Sequence, residues 1–154
     1  MAPQDTFSCS LGPDPSLRVM FKNTVKRLES IGSSFSVKSD RVQYSHRISI
    51  SNKRQTPIEK LVVKDGVPIS DDSVVKVALL TPAGLAEASP TQEVEVAGTT
   101  GVSARWSEVV DGKGGIEEGK MEWVVKLEGR EEKELDLIWE VTSPAGFPWQ
   151  YTSA

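Results

Sequence analysis

Apolar and polar residues alternate with period two along most of this chain, the signature of half-buried β-strands. Val42, Tyr44, His46, Ile48 and Ile50 fall on one face, with Gln43, Ser45, Arg47 and Ser49 on the other. Met121, Trp123, Val125 and Leu127 form one face of a later strand, and Leu135, Leu137, Trp139 and Val141 one face of the next. Only Gly129-Arg-Glu-Glu separates these two, so the spacing predicts an antiparallel hairpin.

Shorter runs repeat the rhythm. Leu17, Val19 and Phe21 open the series. Pro57 breaks the chain before Leu61-Val-Val, which ends at the turn dipeptide Asp65-Gly66. Val74 to Leu80 is mostly β-branched, Glu93 to Ala97 sets Val94 and Val96 against glutamates, and Val102, Ala104 and Trp106 alternate again. Asn23 to Ile31 has weak helical spacing that fits a strand and turn equally well. Eight or nine short strands at this spacing predict an all-β fold, an antiparallel immunoglobulin-like β-sandwich. A chain of 154 residues is expected to form one domain, here 1–154. It is long enough to bury a core without disulfide or metal staples.

Residues 143–154 break the rhythm and are expected to form an irregular aromatic tail. Pro144 and Pro148 prevent a regular central strand there. Phe147, Trp149 and Tyr151 are too apolar for a free tail. They are expected to pack on the sandwich rim, and they are also the candidate binding residues for a partner or a second subunit.

Charge and cysteine content narrow the classes. A net charge of −4 argues against a nucleic-acid binder, because phosphate binding needs a cationic surface. The charge is unevenly spread: Pro15 to Lys64 holds eleven Lys/Arg against three Asp/Glu, and Glu108 to Glu140 eleven Asp/Glu against five Lys/Arg. In a sandwich these stretches interleave as solvated faces, and head-to-tail self-association is the alternative. Cys9 is the single cysteine, which fits a reducing compartment, and no apolar run approaches a membrane span. The N-terminus lacks the pattern of a secretory signal, so a cytoplasmic protein is expected.

Candidate chemistry is sparse. The one histidine, His46, lies in phase with four apolar residues, which favours a core role. A hydrolase or nuclease-like chemistry would need it exposed, with an oriented carboxylate on its far nitrogen. One His and one Cys do not make a structural zinc site, so no metal and no cofactor are expected. Neither Asp65 to Asp72 nor Glu117-Glu118 has calcium-loop spacing. Trp106, Trp123 and Trp139 fall on apolar phases and are expected in the core. Trp149 is expected to be the exposed tryptophan, able with Tyr151 to stack on a sugar ring or a peptide.

Several motifs carry a family resemblance. Thr6-Phe-Ser-Cys-Ser-Leu-Gly-Pro-Asp-Pro-Ser-Leu-Arg-Val, Arg47-Ile-Ser-Ile-Ser-Asn, Thr56-Pro-Ile, Val63-Lys-Asp-Gly-Val-Pro-Ile-Ser, Gly119-Lys-Met-Glu-Trp and Leu137-Ile-Trp-Glu-Val-Thr-Ser-Pro occur in this order. Together they resemble the C-terminal domain of the mucoidy-inhibitor-A-like family, its fungal members most closely. The resemblance covers about 140 of the 154 residues; the last ten and the loop from Glu108 to Ile116 depart from it. It implies a β-rich domain that follows a smaller β domain and a coiled coil, of uncharacterised biochemical activity, so it transfers no catalytic residue. Asp65, Pro68 and Ser70 look like a turn that orders two strands. Relatives carry more strands before this point, so the chain resembles the last part of the family domain.

Removing strands exposes a sheet edge. Closure is expected by pairing with a second copy, by exchange of the N-terminal segment, or by the Phe147–Tyr151 tail. The leading expectation is therefore a non-catalytic interaction module that forms a homodimer and has protein ligands. A lectin-like glycan binder using Trp149, Tyr151 or Trp106 is the second reading, and a His46 enzyme the third.

Overall fold

The computed structural model describes residues 17–31, 39–90 and 92–149. Eight strands run in order: β1 Leu17–Ile31, β2 Ser39–Asn52, β3 Ile58–Gly66, β4 Lys76–Thr81, β5 Val94–Glu95, β6 Val102–Trp106, β7 Lys120–Leu127 and β8 Glu132–Pro144. A 3-10 turn, Ile116–Glu118, precedes β7. The strands form two four-stranded sheets, β1-β2-β8-β4 and β3-β7-β6-β5, and every pairing is antiparallel. The fold is an all-β sandwich.

The alternation read from the sequence is the alternation that is buried. Leu135, Leu137, Trp139 and Val141 of β8 point into the core, as do Met121, Trp123, Val125 and Leu127 of β7. Ile48 and Ile50 of β2, Val63 of β3, and Val102, Ala104 and Trp106 of β6 complete it. These β-branched, aromatic and long apolar residues suit a pleated surface that is buried on one side. Trp106 satisfies its indole N–H on the carbonyl of Leu85, 2.9 Å away inside the core.

One expectation fails. β7 and β8 do not form a hairpin: β7 lies between β3 and β6, and β8 lies between β2 and β4, in the opposite sheet. The four residues 128–131 carry the chain across the sandwich instead. They are held there by the matching crossover between β2 and β3. Asn52 donates from its backbone N–H to the carbonyl of Glu131 (2.9 Å), and Arg130 donates to the carbonyl of Arg54 (2.9 Å). The fully buried Asn52 amide then donates to the carbonyls of Thr56 and Glu128, both at 3.0 Å, and accepts from the N–H of Arg54. Gly129 fits because a β-carbon there would lie 2.1 Å from the carbonyl oxygen of Gln55. Backbone polar groups that leave a sheet need partners, and the two crossovers supply them for each other.

Boundaries also move. The strand expected over Val74–Leu80 spans Lys76–Thr81, and that over Glu93–Ala97 shrinks to Val94–Glu95. The ambiguous stretch Asn23–Ile31 is strand, continuing β1 to its full 15 residues. It pairs with β2 from Leu17↔Asn52 to Ile31↔Ser39, with an irregularity after Leu28.

Candidate functional site

Where β1 and β2 overlap β3, the fold brings Phe21, His46 and Asp65 together. Tertiary structure brings Asp65, near the end of β3, beneath His46 in the middle of β2. Asp65 Oδ1 lies 3.2 Å from His46 Nδ1. Its second oxygen accepts from the indole N–H of Trp123 on β7 at 3.4 Å, and the N–H of Gly66 reaches Oδ1 at 2.8 Å. The His46 and Asp65 side chains are 22% and 7% exposed. The Phe21 ring from β1 stacks on the imidazole, with centroids 5.8 Å apart and planes inclined by 19°.

The carboxylate raises the His46 pKa above its ordinary 6.5, chiefly through the hydrogen bond and also through its charge, while burial opposes the rise. The Asp65 carboxylate thus holds Nδ1 protonated and ties the two sheets together. This is the oriented carboxylate that nucleophilic catalysis would require. Among the described residues, however, no Ser, Thr or Cys side chain is hydrogen-bonded to the imidazole. Asp65, expected to order a turn with Pro68 and Ser70, does accept the backbone N–H of Gly66 where β3 ends, and it also bridges the sheets. Ser70 does order a turn, donating to the carbonyl of Asp72 at 2.8 Å.

Phe147 and Trp149, two of the three tail residues singled out by sequence, are half-buried and pack against the core. Trp149 is the most exposed of the four tryptophans, as expected, and is half-buried rather than fully open. Gly146 donates to Asp40 Oδ2 (3.1 Å), and Phe147 donates to the carbonyl of Pro144, which turns the chain after β8. Tyr151 and Cys9 lie outside the described residues. Trp106, Trp123 and Trp139 are core residues as expected. Among the described residues, no group of three or more His, Cys, Asp or Glu side chains is placed to hold a metal ion. A shallow groove of about 580 Å³, lined in part by Ser70, Asp72, Val75, Lys76 and Trp106, runs beside the β3–β4 connection.

The feature that sequence reasoning missed in detail is β1 itself. It is an edge strand, and among the described residues nothing pairs with its outer edge. Its inward-facing residues overhang the second sheet: Leu17 and Val19 reach the core, whereas Phe21 is 52% and Val25 60% exposed. On the outward face Arg18, Lys22 and Lys26 recur every fourth residue, with Met20, 57% exposed, between the first two. A period-two reading carried past Phe21 would have placed Val25 in this row, but Asn23 in the inward phase obscured it.

Comparison with family models then gives a match: the family described as a domain of unknown function, DUF4139, aligns with residues 3–145. The chain belongs to the DUF4139 family. The match spans β1 to β8, so the whole sandwich described here is DUF4139 sequence. No curated protein and no solved structure matches the chain. The DUF4139 assignment fixes no activity, so the functional argument rests on the geometry of this domain.

Proposed function

We propose that this DUF4139 chain is a non-catalytic interaction module whose binding element is the outer edge of β1. The observation that carries the reading is the combination on one strand of a long edge that no described residue pairs with and exposed Phe21, Val25 and Met20. Fifteen residues of strand make an edge of about 50 Å. Unprotected edges of that length recruit further strands, and strand addition is an established mode of peptide recognition. The polar groups of His46, Trp123 and Gly66 that converge on Asp65 support a non-catalytic role, because the carboxylate is occupied in joining the sheets. The motif resemblance to fungal mucoidy-inhibitor-A-like proteins is part of the same reading, and it implies that such a module follows a coiled coil in a longer polypeptide. A cytoplasmic setting accords with the lone cysteine; among the described residues, no helix is long and apolar enough to cross a membrane.

Selection of displayed extended peptides, on wild type and on a Phe21→Asp/Val25→Asp variant, tests the reading. Light scattering across a dilution series runs beside it to detect a homodimer. Peptides retained by wild type and lost by the folded variant are the expected result. A concentration-independent monomer that retains no peptide would defeat the proposal.

A further inference from the structure

The outward face of the first sheet is electrically polarised in strand order. On β8 the outward positions are Glu132, Glu134, Asp136, Ile138 and Glu140. On β2 the outward cations are Arg41 and Arg47, and β8 satisfies both. Arg47 binds Asp136 at 2.8 Å and reaches Glu134 at 3.6 Å, and Arg41 binds Glu140 at 3.2 Å. β1 continues the cationic side with Arg18, Lys22 and Lys26, but their cross-strand neighbours on β2 are Ser51, Arg47 and Gln43. Lys22 therefore faces a like charge, and among the described residues no carboxylate pairs with any of the three. Among the described residues, the acidic strand that β8 provides for β2 has no counterpart on the outer side of β1.

Resting on the proposed role of this edge, we infer that its partner is an acidic, extended peptide segment of another protein that adds to β1 as a further strand. Every pairing among the described strands is antiparallel, and that orientation defines the pattern the segment must carry. A residue opposite Lys26 is acidic, its successor opposite Val25 is apolar, and two polar residues face Thr24 and Asn23. The same unit then repeats opposite Lys22 and Phe21, and a last acid meets Arg18. The segment thus reads acid–apolar–polar–polar, repeated. Its apolar side chains cover Phe21 and Val25, and its acids complete the charge ladder across the outward face.

The same charges disfavour a second copy as the occupant of this edge. Two β1 strands centred on Lys22 would place Lys22 against itself and Arg18 against Lys26. Centred on Thr24, they would place Lys22 against Lys26 twice. Like charges directly opposite one another destabilise a pair of strands.

The test uses a synthetic peptide built from the repeat Glu-Val-Thr-Thr, a peptide with Lys in place of Glu, and one with Gln there. Binding to the full chain is followed by fluorescence anisotropy at low and at moderate salt. The Glu peptide is expected to bind and to weaken as salt screens the ion pairs. The Gln peptide should bind roughly tenfold more weakly, since each of three cross-strand pairs is worth about two- to threefold. The Lys peptide should not bind. A Lys22→Glu/Lys26→Glu variant should invert the preference and take the Lys peptide, with circular dichroism establishing that it remains folded. Equal binding of the Glu and Gln peptides, or no binding by any of the three, overturns this inference and leaves the edge-docking role to be decided by the peptide selection and light scattering above. Binding of an oligonucleotide or of phosphatidylserine vesicles in place of the Glu peptide also overturns it, because the cations would then serve a phosphate-bearing partner.

Discussion

Replacing Asp65 probes the link between the two sheets most directly. Asp65→Ala removes the acceptor used by His46 at 3.2 Å, by the indole of Trp123 at 3.4 Å and by the N–H of Gly66 at 2.8 Å. A net hydrogen bond is worth about 0.5–1.5 kcal/mol, more when one partner is charged, and the long contact to Trp123 belongs at the low end. The expected loss is about 3 kcal/mol at mildly acidic pH, a melting-point drop of roughly 6–12 °C for a domain of this size. The pH dependence discriminates this cause from simple loss of packing. The His46 pKa is raised in the folded state by Asp65, so its contribution is fully present below 6.5 and is lost as pH rises through the raised value. In Asp65→Asn the charge is gone and only burial acts on His46, which lowers its pKa. That variant should therefore gain stability as pH rises toward 6.5 and level off above it. Urea unfolding followed by tryptophan fluorescence at about pH 5 and about pH 9 measures both differences. A deficit that stays flat across that range, or grows toward alkaline pH, would refute the reasoning.

The two crossovers make further predictions. Asn52→Ala leaves the carbonyls of Thr56 and Glu128 and the N–H of Arg54 without their side-chain partner, and should cost about 2–4 kcal/mol in chemical denaturation; a loss under about 0.5 kcal/mol would show that the crossovers hold without it. Gly129→Ala drives a β-carbon against the Gln55 backbone and should cost about 1–3 kcal/mol, read as a lowered melting point with far-ultraviolet circular dichroism unchanged below the transition. An unaltered melting point would mean that the loops are not pressed together.

The faces of the strands were legible in the sequence because burial is written into a local, period-two pattern. Trp123, Trp139, Leu137 and Ile48 are inward where their phase put them, and His46 shares that phase. Asp65 was harder. A carboxylate followed by glycine reads as a turn when only neighbours along the chain are considered, and nothing local announces a histidine 19 residues earlier as its partner. The tail was partly legible: its apolar residues implied packing, but how far Trp149 is covered depended on a surface that the sequence does not display. The cationic row on β1 was visible as an uneven charge distribution. Its lack of acids became visible only when β8 was seen to spend its carboxylates on β2.

What the sequence alone determined, then, is the class of structure and which side chains enter the core. The alternation acts residue by residue, and either sheet would bury the same faces. Which strands lie side by side was decided by tertiary structure. Every strand here carries much the same pattern, so pairing depends on groups remote in sequence. β7 and β8 separate into opposite sheets because the Asn52 amide, the close approach at Gly129 and the facing crossovers stabilise a corner where a hairpin would otherwise form. By the same ordering β1 is left at the margin, with an apolar row and a cationic row that no other described strand covers.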